Sequence, residues 1–403
     1  MNASVTERRG GFPQPELARQ IELSTGTLIL LGLTCAICVA NNYYSQPLLI
    51  DIARDLGLSK SLSGMAPTLT QLGIALGMLL LLPLGDRIDN RLITTSLLAV
   101  QAATLIVMAT ATAPALYMAA SLVAGLCGIV TYLLPAYATR LVAPERRGAV
   151  TGMLATGILT GIMLGRSVAG IAGYAVGWRT VYATAALATL IMAVVMIRAM
   201  PPTPGLRPQS YRGLLQSVTA LVSQSALLRR ATLLQALSFG SFNALWVGLT
   251  LHLQEAPFHL DTRRIGELAL LAVTSAIAAP FLGRLADRWS MAAVVRLAFL
   301  VTAAGWLAAL VLPSDYIGIV AAMVLVGIGA IGTDVTLRAA LYGLAPDIRM
   351  RLNAVYSTGT FLGGSIFSLL TPILWSRLGW PAVAGVSLLA TMAGFLLVRD
   401  QKV

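Results

Sequence analysis

Apolar runs of about twenty residues, separated by short polar clusters, recur along the whole 403-residue chain. A helix crosses the hydrocarbon core of a bilayer in about twenty residues. The runs therefore predict twelve spans, near 26–47, 61–83, 92–112, 114–138, 148–174, 178–198, 230–254, 263–284, 291–312, 315–344, 352–376 and 379–398. The alternating pattern of a membrane barrel does not accompany them. Residues 1–24 are polar and the first apolar run is long enough to span, so no cleaved leader is expected.

The polar positions inside these runs are the informative ones. The first span ends in Asn41-Asn42-Tyr43-Tyr44-Ser45-Gln46-Pro47. Asn42 and Gln46 are four apart and share a helix face. They read as a polar wall of a cavity or as bonds between helices, and the tyrosines as cavity lining or interfacial anchors. Gln71 adds to this group from the second span, and Gln235, Ser238, Asn243 and Trp246 from the seventh. The eleventh offers Tyr356, Ser357, Thr358 and Thr360.

Two spans carry charge. In the fifth, Gly152, Gly157, Gly161, Gly165 and Gly170 surround Arg166. Small residues at such steps let helices approach closely. A guanidinium inside a span costs roughly 2.5–3.5 kcal/mol on insertion scales, so it needs a wet cavity or a partner. A close-packed seam with one costly charge suggests two bodies moving against each other; a packing helix with a snorkelling arginine is the plainer reading. In the tenth, Asp334 lies about a dozen residues, some 15–18 Å, from the loop at Pro346. Arg338 is one turn on, so Asp334 reads either as half of a structural ion pair or as a proton carrier.

Composition changes the picture little and charge changes it more. The chain is 57% hydrophobic and 11% charged, which excludes a soluble domain. The net charge of +12 suggests nucleic acid until it is placed. Twenty-one of the 28 Lys and Arg fall on the side of the two termini, six on the other, with Arg166 between. The excess is a topology signal that puts both termini in the cytoplasm, with a weak hold on anionic membrane lipid. No nucleic-acid partner is expected. Cys35, Cys38 and Cys127 lie inside spans and read as packing residues, and His252 and His259 are too isolated for a metal site.

The chain also repeats. Asp86-Arg87 returns as Asp287-Arg288, 201 residues on, and Ala143-Pro144, Gly161 and Gly177-Trp178 return at an offset of 202. Two six-helix halves with an even number of spans each form a parallel repeat about an axis along the membrane normal. The expected divisions are a tail 1–24, halves 25–198 and 229–398, a cytoplasmic linker 199–228 and a tail 399–403.

With these motifs the chain resembles the major facilitator superfamily over nearly its whole length. Gly283 to Arg288 matches the start of the family's G-x-L-A-D-R-x-G-R-[RK] loop, and the first copy keeps Leu84, Asp86, Arg87 and Arg91. That copy departs at Leu82 and at Asp89-Asn90. The resemblance implies an all-α membrane protein of twelve transmembrane helices, with Asp86, Arg87, Asp287 and Arg288 bracing a cytoplasmic gate. The fifth span is similar to the drug/proton antiporter signature G-x8-G-x3-G-P-x2-G-G at Gly152, Gly161, Gly165 and Gly170. Arg166 stands in place of the proline and Ala169 in place of a glycine. The arginine that family often carries in the fourth span is Ser121 here, so a coupling scheme built on it does not transfer. In the resembled fold the fifth and eighth spans face each other, which makes Glu267 a candidate gating partner of Arg166. Bonding of Arg166 to Asn41, Asn42 or Gln46 is the alternative.

The expectation is a monomeric secondary transporter of a bacterial inner membrane, not an enzyme, with no cofactor beyond the proton gradient. Proton-coupled efflux of a small organic molecule is the leading function. Proton-coupled uptake is second, and a receptor-like or channel-like protein is the alternative of another class. No phosphate-binding G-x4-G-K-[ST] loop is present for primary transport.

Overall fold

The computed structural model describes residues 23–203, 211–272, 288–344 and 349–399, together with 274, 281 and 285. Five helix starts carry the side-chain cap their sequence offers. Ser24, Asp89, Ser225, Asp261 and Ser290 accept from the backbone N–H groups of Thr27, Arg91, Leu228, Arg264 and Ala293. Apolar side chains such as Ile106, Leu187, Leu389 and Leu396 stay more than half exposed on the outer surface. In a chain of this hydropathy that surface is lipid-facing.

The spans unfold in order. The third is Asn90–Thr110, the fifth Arg147–Val176, the sixth Trp178–Ala199 and the seventh Ala226–Leu253. The eighth opens with Thr262–Ala269, and the ninth to twelfth are Met291–Val311, Tyr316–Leu344, Arg349–Leu378 and Trp380–Leu397. The linker contains a helix, Tyr211–Gln224. The second span is Met65–Leu80, followed by a 3-10 turn Leu82–Asp86.

Among the described residues, the eighth span passes into a 3-10 turn at Leu270–Ala272, and the first and fourth are interrupted where continuous helices are expected. The first is Thr25–Ala40, then turns over 41–48, then Leu49–Asp55. Its backbone tightens at the polar run, where Asn42, Tyr43 and Gln46 donate three residues back to Val39, Ala40 and Tyr43. Pro47 then has no N–H to carry the helix on. The fourth is Pro114–Cys127 and Val130–Leu141, interrupted at Gly128. The two interruptions meet: a Cβ on Gly128 would lie 2.4 Å from Asn42 Nδ2. By contrast the fifth span runs unbroken through Arg166, where the resembled signature has proline.

The sequence repeat is built in space. Gly177 and Gly379 both have positive φ, 83° and 75°, where a side chain would be strained. Each is followed by a buried tryptophan whose indole N–H is bonded, Trp178 to Asp55 and Trp380 to the Ala309 carbonyl. In the N-terminal half a Cβ on Gly161 would meet the Ala36 carbonyl at 2.3 Å. In the C-terminal half a Cβ on Gly363 would meet the Ala236 carbonyl at the same 2.3 Å. Each half thus packs its fifth helix against its first through bare backbone.

That geometry corrects the reading of the fifth-span glycines. Gly157, Gly161 and Gly165 approach Gly32, Ala36 and Ala40 of the first span, inside one half, rather than a surface that slides between halves. Gly170 alone among the five crosses to the other half, where its added Cβ would lie 2.6 Å from Gly266 Cα. Gly152 meets nothing within 4 Å.

Candidate substrate site

Among the described residues, Leu23 packs with Val142 and Met200, and Val398 with Leu228; the end of the bundle they mark is called here the termini side, and the other the far side. On the far side the halves close in two seams. One is the Gly170–Gly266 backbone contact. The other is Gly64, where a Cβ would meet Pro372 Cγ at 2.3 Å and the Ser368 carbonyl at 2.7 Å. Polar contacts reinforce both: Thr262 donates to Asp51 at 2.6 Å and Lys60 meets Glu255 at 2.5 Å. Lys60 also lies 5.4 Å from the Trp375 ring centroid.

Beneath this closure the two halves share a buried polar cluster. Arg166 is 1% exposed. Its Nε donates to Gln46 Oε1 at 2.6 Å and its Nη1 to the Ile162 carbonyl at 3.2 Å. Gln46 Nε2 donates to Asn243 Oδ1 at 3.2 Å, across the halves, and Gln71 Nε2 reaches the same oxygen at 3.4 Å. The guanidinium carbon lies 4.3 Å from the ring centroid of Tyr43, 4.6 Å from Trp246 and 5.6 Å from Phe242. Each aromatic face attracts a cation, more strongly when water is excluded. Three buried polar atoms here, Arg166 Nη2, Gln71 Oε1 and Trp246 Nε1, have no hydrogen-bond partner among the described residues.

The sequence brought forward Tyr43, Gln46, Gln71, Arg166, Asn243 and Trp246, and the fold brings these six together. It takes others elsewhere. Asn41 donates to Gln101 and Thr189 within its own half, a structural tie. Asn42 fills the break at Gly128. Tyr44 packs edge-on to Tyr182 in the far-side core of the N-terminal half. Gln235 is buried two turns toward the termini on the seventh span. Glu267 does not reach Arg166: its carboxylate accepts from Arg263 at 2.9 Å and Arg264 at 3.1 Å on its own helix. Those two guanidiniums are one turn away, so the acid stays at the exposed rim and Arg166 takes the neutral partner in its own half.

Tyr356 belongs to a second cluster, on the tenth and eleventh spans. Asp334 accepts from Arg338 at 2.9 and 3.3 Å and from the Tyr356 hydroxyl at 3.0 Å. Arg338 Nη1 also donates to Asn353 at 2.6 Å. The Asp334 side chain remains 32% exposed, so the fork-like pair is not sealed inside the bundle.

Of the loop residues, Asp287 lies outside the described residues, while Arg87 and Arg288 are exposed. In the first loop, both positions that depart from the resembled motif make hydrogen bonds, while the Asp86 side chain lies outside the described residues. Asp89 Oδ1 accepts from the Arg91 and Thr203 backbone N–H groups. Asn90 donates to the Gly85 carbonyl at 3.0 Å and accepts from Arg140 at 3.3 Å. Sequence reading missed a ring layer as well: Tyr132, Phe361, Phe239 and Phe242 follow one another at 5.4 to 6.2 Å. Isolated aromatics in apolar spans carry no pattern that would have singled them out.

Two six-helix halves, joined in parallel repeat and enclosing a polar site between them, define a membrane transporter rather than an enzyme. The chain belongs to the Major Facilitator Superfamily, whose family model matches residues 31–266 and 231–402. It is 32% identical over 381 residues to the uncharacterized transporter YgaY of Escherichia coli O157:H7, covering 93% of this chain and 97% of that one. It is 31% identical to a probable transporter of Streptomyces coelicolor, over 89% of this chain and 84% of that one. Among solved structures, the nucleoside transporter NupG superposes with a TM-score of 0.72 at 14% identity, over 93% of this chain and 100% of that one.

Proposed function

We propose that this transporter works by alternating access in a bacterial inner membrane, both termini in the cytoplasm, exporting a small organic molecule in exchange for protons. The observation that carries the reading is the Gln46–Asn243 bond. It joins the halves through a buried site directly beneath two closed far-side seams. Such a midplane site, lined by an interrupted first helix, is where substrate sits when one half rocks against the other. The excess of basic residues on the termini side supports the orientation. Exchange for protons rests on the antiporter-like glycines of the fifth span and on Asp334 as a part-exposed carboxyl inside the tenth.

Proteoliposomes containing the purified protein and a trapped pH dye test this. With an acidic lumen, an exchanger lets protons out when its substrate is added outside, and the lumen turns alkaline. Lumen acidification on adding substrate at equal pH would instead establish uptake with protons. No response to a broad compound library, beyond protein-free vesicles, would remove proton coupling altogether.

A further inference from the structure

The cluster around Arg166 has a charge that nothing among the described residues balances. Its side-chain acceptor, Gln46, is neutral. Its third nitrogen, Nη2, is buried and unpartnered. The acid inside the spans, Asp334, is already paired with Arg338. Acids of the far-side region are committed elsewhere: Asp51 to Thr262, Asp55 to Arg179, Glu267 to Arg263 and Arg264, Glu255 to Lys60. A buried charge without a counter-charge is costly, and the cost falls when an anion arrives. The rings of Tyr43, Trp246 and Phe242 lower that cost without removing the charge.

The open groups also describe the shape of what would fit. Arg166 Nη2 and Trp246 Nε1 are donors without an acceptor among the described residues, and the guanidinium carbon lies 4.6 Å from the Trp246 ring centroid. Two donors and one positive charge match one carboxylate, which accepts on two oxygens. One turn toward the termini from Asn243, Phe239 stacks on Phe242 and meets Phe361 edge-on, offering apolar ring surface beside the polar site. We propose that the substrate is a small organic monoanion: a carboxylate seated on Arg166 and Trp246, with a flat apolar body against the phenylalanine layer. The proposal rests on the transporter reading above, and it names the substrate class.

The test uses the full-length protein in nanodiscs and does not need transport. Binding is followed by tryptophan fluorescence and by thermal unfolding, with isosteric pairs: benzoate and benzamide, phenylacetate and phenylacetamide, salicylate and salicylamide, and benzylamine as the cation. A charge-assisted bond in place of a neutral one corresponds to about five- to tenfold, and the carboxylate makes two, so each carboxylate that binds should do so at least about tenfold tighter than its amide. Arg166→Gln should erase that preference, and Arg166→Lys should keep part of it. Should the glutamine variant fail to fold, the pairs on the unaltered protein and the lysine variant still decide. Equal binding of amides, binding of benzylamine, a carboxylate preference that survives Arg166→Gln, or no carboxylate bound by folded protein would each overturn the proposal. A carboxylate preference without any dye response in proteoliposomes would keep this site and reject the proton-coupled reading. A dye response driven by neutral compounds would do the reverse.

Discussion

At the scale of a residue, Gln46 is the hinge of the site's hydrogen bonding. Arginine only donates, so the Gln46 oxygen must face Arg166 and its amide nitrogen must face Asn243. Asn243 is then oriented too, offering its oxygen to Gln46 and its nitrogen to the Phe239 carbonyl at 3.0 Å. One buried charge thus fixes two amides in two halves. Gln46→Leu should destabilise the protein by about 1.5–3 kcal/mol, the worth of a hydrogen bond to a charged group. Adding Arg166→Met should recover most of that loss, because both partners are then apolar. Denaturation of both variants in one detergent measures the difference, and an unaltered midpoint for Gln46→Leu would show the bond to be idle. Asp334 gives the second prediction at this scale. Asp334→Asn keeps the size and an acceptor for Arg338 and Tyr356 but no longer titrates. Substrate-for-substrate exchange should continue in vesicles while the pH-dye response disappears. An asparagine variant that still moves protons would leave Asp334 a structural half of its ion pair.

At the scale of an element, the fifth and eleventh spans are the same device used twice. A helix face with glycine at Gly161 or Gly363 lies on the backbone carbonyl of Ala36 or Ala236, too close for any Cβ. A backbone carbonyl cannot yield as a flexible side chain can, so Gly161→Val and Gly363→Val should each reduce monodisperse protein severely. Gly152→Val faces open space and should leave the elution profile unchanged. A normal profile for either of the first two would mean that the seam relaxes. The duplicated offset made this pairing of halves readable in the sequence. The neighbours of each glycine were not readable, because helical spacing tells which side a residue is on and not what covers it. The same limit explains the interrupted spans. Asn41, Asn42 and Gln46 read as a polar wall at the end of a continuous helix, Asn42 and Gln46 sharing a face. The partners of the two asparagines, Gln101, Thr189 and the gap at Gly128, come from other helices and decide that the helix ends there. The site divides along the same line. Arg166, Gln46, Asn243, Gln71 and Trp246 stood out because polar atoms are rare in lipid-spanning runs. Phe239, Phe242 and Phe361 did not, because a ring in an apolar run is ordinary. Of the two candidate partners of Arg166, Glu267 is held by two arginines one turn away on its own helix and Gln46 takes the guanidinium, a choice that helical spacing alone left open.

At the scale of the molecule, the two far-side seams hold one of the two arrangements an alternating-access transporter needs. The Gly170–Gly266 contact is backbone on backbone, and Lys60 meets Glu255 at the rim, so the ion pair is expected to form as the seam closes. An exposed pair of this kind contributes little stability by itself, about 0–1 kcal/mol, but it reports the closure faithfully. The chain makes the report easy to read, since Lys60 and Lys402 are its two lysines. A carbodiimide joins an amine to a carboxylate with no added atoms, so it should link Lys60 to Glu255 in this arrangement, as one crosslinked peptide in a digest. Gly170→Val adds atoms where backbone stands 2.6 Å away and should hold the seam apart, without touching the glycines that pack the fifth span on the first. The crosslink should then fall several-fold while the protein stays monodisperse, because a shift of only 1.4 kcal/mol between two states changes their ratio about tenfold. A ligand that binds the closed arrangement more tightly should raise the yield in the unaltered protein and fail to rescue Gly170→Val. Full crosslinking in folded Gly170→Val would mean that Lys60 and Glu255 meet whether or not the glycine seam is closed, and that the far side is not gated at Gly170.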